Sequence, residues 1–225
     1  MAPPRGFMAA FYPVDIRVKD KKLDQMQTFD FSTLYTALPH TEIKQKFSKI
    51  FQKVFNREAK PFINVNMLGA VFSSAVSSKA CSFRYEDLME ILEFILDNIF
   101  VKCGNMVYKQ ITGIPIGLDS GQDIANLLLY CYESEYVEKV SRENLSLARK
   151  FSFCFRYIDD LFVGNFPDFG EHIYKIYPRS LDVKLESSST TEVAYLDLKI
   201  ISQNSNLIFC PWRILRQGLC DGSFL

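Results

Sequence analysis

The sequence runs to 225 residues with a formal net charge of zero, 48% hydrophobic residues, 20 Phe and 11 Tyr. A chain of that size and apolarity buries a sizeable core in one domain, or one and a part, and is too apolar to be disordered. No apolar run reaches the length of a membrane span, since Leu88 to Phe100 is broken by Glu90, Glu93 and Asp97, and Met1-Ala-Pro-Pro-Arg-Gly6 lacks the apolar core of a secretory signal.

Residues 1–27 carry Pro and Lys with little periodicity and read as an irregular lead-in. In Gln27 to His40, the residues Thr28, Phe29, Phe31 and Tyr35 favour a strand that Asp30 interrupts. An acid inside an apolar strand is costly unless it is paired or binds a metal. Thr41 stands where it would cap a helix to about Asn56, with Ile43, Phe47, Ile50, Phe51 and Val54 on one face. The same segment gathers Lys44, Lys46, Lys49, Lys53, Arg57 and Lys60 against Glu42 and Glu58. A solvated helix face and a phosphate-facing patch both fit that run, and zero net charge does not favour a nucleic-acid partner.

Residues 61–85 read as short strands or loop. From Tyr85 a helix follows, with Leu88, Ile91, Leu92, Ile95, Leu96 and Ile99 at helical spacing as a core stripe. Phe100 to Gln110 reads as a hairpin turning at Gly104-Asn105, and Gly113-Ile-Pro-Ile-Gly117 as a rigid loop leading into a helix over Ser120 to Val140. Cys81, Cys103, Cys131, Cys154, Cys210 and Cys220 show no metal-ligand spacing, and several lie within apolar runs. They read as reduced thiols of an intracellular protein, with nothing to separate nucleus from cytoplasm.

The most informative stretch is Phe151 to Phe166. Phe151, Phe153, Phe155 and Tyr157 alternate with Ser152, Cys154, Arg156 and Ile158 as a strand, Leu161 to Gly164 reads as a second, and Asp159-Asp160 as the turn between them. Neighbouring carboxylates repel, so a cation belongs beside them; a solvated turn and a site for a hard ion such as Mg²⁺ are both open. Asp30, on another strand, is the natural partner of Asp159 and favours the metal. Arg156 is placed to support the acidic hairpin from behind, while His40 and His172 read as surface or packing residues. Phe169 to Tyr177 suits a short helix ended by Pro178, and Leu181 to Glu186 and Val193 to Ile201 alternate as strands. This order predicts an α+β fold, an antiparallel sheet with helices packed on one face.

These residues resemble the reverse transcriptases, most closely those of Penelope-like and related retroelements. Thr28-Phe-Asp30-Phe-Ser-Thr-Leu-Tyr35 resembles the first catalytic strand, and Gly113 to Gly117 with Ala125-Asn126-Leu127 the template- and nucleotide-positioning loop and helix. Tyr157-Ile-Asp159-Asp160 resembles the acidic hairpin, and Tyr195-Leu196-Asp197-Leu-Lys199 the strand that precedes or forms the primer grip. The resemblance covers residues 28–201 and implies a polymerase palm. It implies nucleotidyl transfer, RNA-directed DNA synthesis adding deoxynucleoside triphosphates to a primer on an RNA or DNA template. Two Mg²⁺ or Mn²⁺ ions, roughly 3.5–4 Å apart, clamp the attacking and leaving oxygens in such chemistry. Asp30 and Asp159 would bridge them, the Phe31 carbonyl would add an oxygen, and Asp160 would be a supporting acid.

Tyr35 occupies the position of the steric gate that excludes a 2′-hydroxyl, a core aromatic being the other reading. Gly113, Pro115 and Gly117 would border template or nucleotide, or form an ordinary turn. Lys184 sits where the family carries a lysine near the pyrophosphate, an exposed strand lysine being the alternative. Only 29 residues precede Asp30, with Arg17, Lys19, Lys21 and Lys22 the candidates for a basic fingers region. Leu118-Asp-Ser-Gly-Gln-Asp123 lacks the small residue and prolines usual after the loop, and residues 202–225 resemble no thumb. The chain therefore reads as a palm cut from a longer polyprotein whose fingers, thumb and endonuclease lie elsewhere. Its divisions are a lead-in over 1–27, remnant of the fingers, a palm over 28–201 and a divergent tail over 202–225. An inactive palm remnant, at most a nucleic-acid-binding module, is the alternative function.

Overall fold

A computed structural model describes residues 23–203 and 206–211; the lead-in through residue 22, with the fingers candidates Arg17, Lys19, Lys21 and Lys22, and the tail from residue 212 lie outside the described residues. In chain order, β1 (Met26–Phe31) is followed by α1 (His40–Glu58), β2 (Phe62–Asn66), β3 (Gly69–Ser73), β4 (Cys81–Phe83) and α2 (Tyr85–Asp97). Then come β5 (Phe100–Cys103), β6 (Met106–Lys109), α3 (Gly121–Glu143), α4 (Leu145–Lys150), β7 (Cys154–Tyr157) and β8 (Asp160–Gly164). The chain finishes through α5 (Ile173–Ile176), β9 (Val183–Ser189), β10 (Glu192–Tyr195), β11 (Leu198–Gln203) and β12 (Asn206–Pro211). Two compact units result, one from the chain through Leu34 and from Tyr132 onward, the other from Tyr35–Cys131.

The first unit is built on a four-stranded antiparallel sheet in the order β7-β8-β1-β9. Side chains alternate between its faces. One face carries Cys154, Arg156, Leu161, Val163 and Phe29, all buried, and packs on helical segments. Phe29 packs against Phe169 with ring centroids 5.4 Å apart and planes tilted by 54°, and Phe31 meets Tyr177 edge-on at 4.8 Å. Helices cover one face, as the order of elements predicts. The other face is half covered by a second antiparallel sheet, β10-β11-β12, through a cluster of Leu23, Met26, Phe162, Val193 and Ile200 with Phe153, Phe155 and Tyr195 against it. Because β12 pairs with β11 as far as Gln203↔Asn206, ordered pairing continues past residue 201.

Three local expectations change. Phe151 to Phe153 form a single 3₁₀ turn and not the start of a strand. They follow directly on α4, and the Phe151 ring is drawn into a cluster with Tyr136, Phe166, Phe169 and His172. Thr41 lies inside α1, whose N-cap is Pro39. Val193 to Ile201 is two strands joined at Leu196-Asp197, with Leu196 at φ 54°.

In the second unit α1 ends at Ala59, which turns left-handed at φ 52° and donates its N–H to the Phe55 carbonyl. The Asp87 carboxylate accepts the Arg84 N–H at 2.7 Å and so closes the start of α2. Residues 61–85 resolve into a three-stranded sheet, β3-β2-β4, and the hairpin β5-β6 turns at Gly104 with φ 60°. The apolar stripe of α2 is narrower than its spacing predicts: Leu92, Leu96 and Ile99 are buried, but Ile91 and the neighbouring Phe94 are exposed. Among the described residues no helix is long and apolar enough to cross a membrane.

This division of α2 is measurable by denaturant unfolding. Leu96→Ala should cost about 2–5 kcal/mol, as for a buried leucine. Phe94→Ala, at a position 70% exposed, should stay within about 0.5 kcal/mol of the parent.

Candidate functional site

Cross-strand pairing sets the site. Tyr157 pairs with Asp160, Asp160 with Asp30, and Asp30 with Lys184, a single row across β7, β8, β1 and β9. Directly paired residues on antiparallel strands project from the same face, so the two carboxylates and the ammonium share one side of the sheet. The row lies beyond the end covered by the second sheet: Asp30, Asp159 and Asp160 are partly exposed and Tyr157 and Lys184 exposed. Ser32 Oγ donates to Asp30 Oδ2 at 3.2 Å, and Lys184 Nζ meets Asp182 Oδ2 at 2.8 Å. That hydrogen bond and the Asp182 charge, with Asp30 adding to them, raise the lysine's proton affinity.

The acidic turn sits one residue earlier than the sequence pattern predicts. Ile158 and Asp159 form it, and Asp160 is already the first residue of β8. Ile158 has φ 55°, a left-handed conformation that costs a β-branched residue about 1–3 kcal/mol and persists only where its surroundings impose it. Two hydrogen bonds hold this turn. Arg156 Nη1 donates to the Ile158 carbonyl at 3.0 Å, and the Phe31 N–H donates to the Asp159 carbonyl at 3.2 Å. The second bond fastens the turn beside Asp30.

Behind the hairpin lies a buried charge network that the sequence showed only as Arg156. Arg156 grips Glu133 of α3 with a fork, Nε to Oε1 at 2.6 Å and Nη2 to Oε2 at 3.2 Å, and Tyr177 donates its hydroxyl to the same Oε1 at 2.7 Å. Burial and the Glu133 charge push the Tyr177 phenol well above its usual range. Helix position alone gave no signal that Glu133 is fully buried.

Negative charge accumulates on the open face. Burial first, then Asp159, Glu186 and Asp30, push the Asp160 carboxyl up to about 6. Among the described residues no three His, Cys, Asp or Glu side chains form a ready-made metal-holding group. The donor set is nonetheless of the right kind, because Mg²⁺ is commonly held by one or two carboxylates and completes its shell with substrate phosphates and water. Asp30, Asp159 and the Phe31 carbonyl are hard oxygens, and Asp159, Glu186 and Asp30 add negative charge around Asp160 beyond the effect of its burial.

Tyr195 is half-buried, and its hydroxyl donates towards the carbonyls of Phe155 at 3.3 Å and Asp160 at 3.5 Å. Leu196 and Asp197 are exposed in the β10-β11 turn, so the segment expected as one primer-grip strand is a hairpin tip.

The remaining sequence-derived site residues lie in the Tyr35–Cys131 unit. The half-buried Tyr35 accepts the Ile114 N–H on its carbonyl at 2.7 Å, and Gly113 N–H reaches the Leu38 carbonyl at 2.8 Å. Gly113 has φ +80°, and a Cβ there would stand 2.5 Å from the Tyr35 carbonyl oxygen. Its missing side chain therefore serves a close approach of the chain to itself. His40 is a packing residue, its Nε2 bonding the Gly113 carbonyl at 2.8 Å. Pro115 is half-buried, while Gly117 is exposed with open space around it.

No protein-family model matches the chain, and no curated protein matches it in sequence. Solved structures do. Apo telomerase from Candida tropicalis superposes with a TM-score of 0.55 at 14% identity over 85% of this chain and 32% of that one. A form of it truncated from the C-terminal domain gives 0.53 at 13% over 85% and 36%. Telomerase from Candida albicans in complex with a TWJ fragment of telomeric RNA gives 0.54 at 13% over 84% and 32%. The chain thus has a reverse-transcriptase-like, palm-like fold and spans about a third of the length of these telomerases.

Between about pH 4 and 6 the folded protein keeps a proton on Asp160 that the unfolded chain releases, so this group removes stability as pH rises through that window. Discounted for solvent screening, Asp160→Asn should gain about 1 kcal/mol over the parent at pH 7 relative to pH 4, without added divalent ions. Thermal unfolding at the two pH values checks this. Gly113→Ala should cost about 2 kcal/mol or more in the same assay, from the strained backbone and the displaced carbonyl.

Proposed function

We propose that the chain is the palm of an RNA-directed DNA polymerase of retroelement type, which adds deoxynucleotides to a primer 3′-hydroxyl. The observation that carries this is the placement of Asp30 beside Asp160 and the Asp159 turn, on the open end of a palm-like sheet. In-line displacement at phosphorus demands little covalent help from protein and much positioning of charge. Bound Mg²⁺ or Mn²⁺ would polarise the phosphoryl group and neutralise the charge that develops on the attacking and leaving oxygens. Asp30 and Asp159 would hold the ions with the Phe31 carbonyl, and Asp160 would keep the pocket negative. Lys184, on the far side of Asp30 in the same row, would donate a proton to the departing pyrophosphate. Tyr35 would pack under the sugar as a gate, with Gly113, Pro115 and Gly117 bordering nucleotide and template. Tyr195, Leu196 and Asp197 would contact the primer strand at the hairpin tip.

A nucleic-acid partner is in keeping with the RNA fragment in the Candida albicans telomerase complex. A palm of this fold that binds nucleic acid without catalysis is the second reading. It is favoured by the exposed Lys49 and Lys53 on α1.

Primer extension on an RNA template with Mg²⁺ or Mn²⁺ separates the two. The polymerase reading expects extension that falls by about a hundredfold or more in Asp30→Ala and Asp159→Ala. Template binding without extension by the parent would leave only the second reading.

A further inference from the structure

A buried ion pair is poor evidence of stabilisation, because well-packed apolar residues in its place commonly do as well. What a forked pair supplies is direction, since a guanidinium gripped through two nitrogens has its remaining N–H groups aimed at fixed points. Glu133 and Arg156 are such a pair. Both are buried, both carboxylate oxygens are engaged by the guanidinium, and Tyr177 adds a further donor to the carboxylate. The guanidinium's Nη1 is thereby aimed at the Ile158 carbonyl, two residues further along the chain in the turn and at the residue held at φ 55°.

We infer that Glu133, with Tyr177, acts through Arg156 to set the conformation of the Ile158–Asp159 turn and hence the position of the Asp159 carboxylate. The three are positioning residues. Arg156 pins the first carbonyl of the turn and the Phe31 N–H pins the second, so the Asp159 side chain leaves an α-carbon whose flanking peptides are both held. Glu133 belongs to α3 and Tyr177 follows α5, so two separate helical elements converge on one turn. The inference rests on the polymerase reading for its catalytic consequence, but its structural claim stands apart from it.

The experiment uses the full chain and compares Glu133→Gln, Arg156→Lys and Tyr177→Phe with the parent and with Val140→Ala. The last is a core variant remote from the turn, chosen to match the loss of global stability. Tyr177→Phe removes a single donor and guards against outright unfolding of the charge variants. Amide hydrogen exchange over residues 157–161 should rise about tenfold in the three network variants and not in Val140→Ala. Mn²⁺ affinity, read by electron paramagnetic resonance, should fall about ten- to a hundredfold. In primer extension kcat should fall by a similar factor with KM for the nucleotide unchanged, and Arg156→Lys, which keeps the charge but loses the fork, should not rescue. Exchange and Mn²⁺ affinity that follow Val140→Ala would overturn the inference. If the parent neither binds Mn²⁺ nor extends primer, the polymerase reading fails, while the exchange measurement still decides whether the network sets the turn.

Discussion

The register between β1 and β8 is the constraint on which the rest depends. With Asp30 opposite Asp160, every second residue of β1 faces the acids' side, and Phe29 faces the helices with Leu161. A slip of one residue would invert this, driving Asp30 among buried aromatic rings and Phe29 into water. The chain locks the register at both ends of the pair. At one end the Asn165 side-chain oxygen accepts the Asp24 N–H at 2.8 Å, and the Asn165 backbone N–H donates to the Gln25 carbonyl at 2.8 Å. At the other, the Phe31 N–H holds the Asp159 carbonyl. Carboxylates that repel are thus kept adjacent by backbone bonds of their strands and of the residues beside them.

The two faces of this sheet solve different problems. The helix-covered face buries Phe29, Leu161 and Val163, and among the described residues the buried charge on it is the Glu133–Arg156 pair. The opposite face changes character along its length, from the apolar Met26 and Phe162 under the second sheet to the acidic row at the open end. Such a surface keeps functional groups wet while their backbone is fixed by the packing a few ångströms away.

Much of this was legible in the sequence. Asp30 inside a run of β-formers, the acid pair after alternating aromatics, and the helical spacing in α1 and α2 each carry a local physical signal, and each element formed. The shift of the turn to Ile158–Asp159 was not legible, because Asp is a better turn former than Ile and the bonds from Arg156 and Phe31 that hold the turn come from residues outside it. The 3₁₀ turn at Phe151 escaped for a related reason: alternation spoke for a strand, and a distant aromatic cluster decided otherwise. Val193 to Ile201 alternates throughout, so nothing in its pattern marks the reversal at Leu196. Glu133 looks like any other acid on a helix, and its burial is visible only once Arg156 and Tyr177 have come together.

Tyr195 fastens the second sheet to the hairpin through the carbonyls of Phe155 and Asp160. Burial above all, and then the Asp160 charge, hold its phenol well above the usual range. A hydroxyl that keeps its proton remains a donor in alkali strong enough to turn ordinary tyrosines into phenolates. The fastening between sheet and hairpin is accordingly insensitive to alkaline conditions, and its ultraviolet absorption would be among the last of the tyrosines to shift.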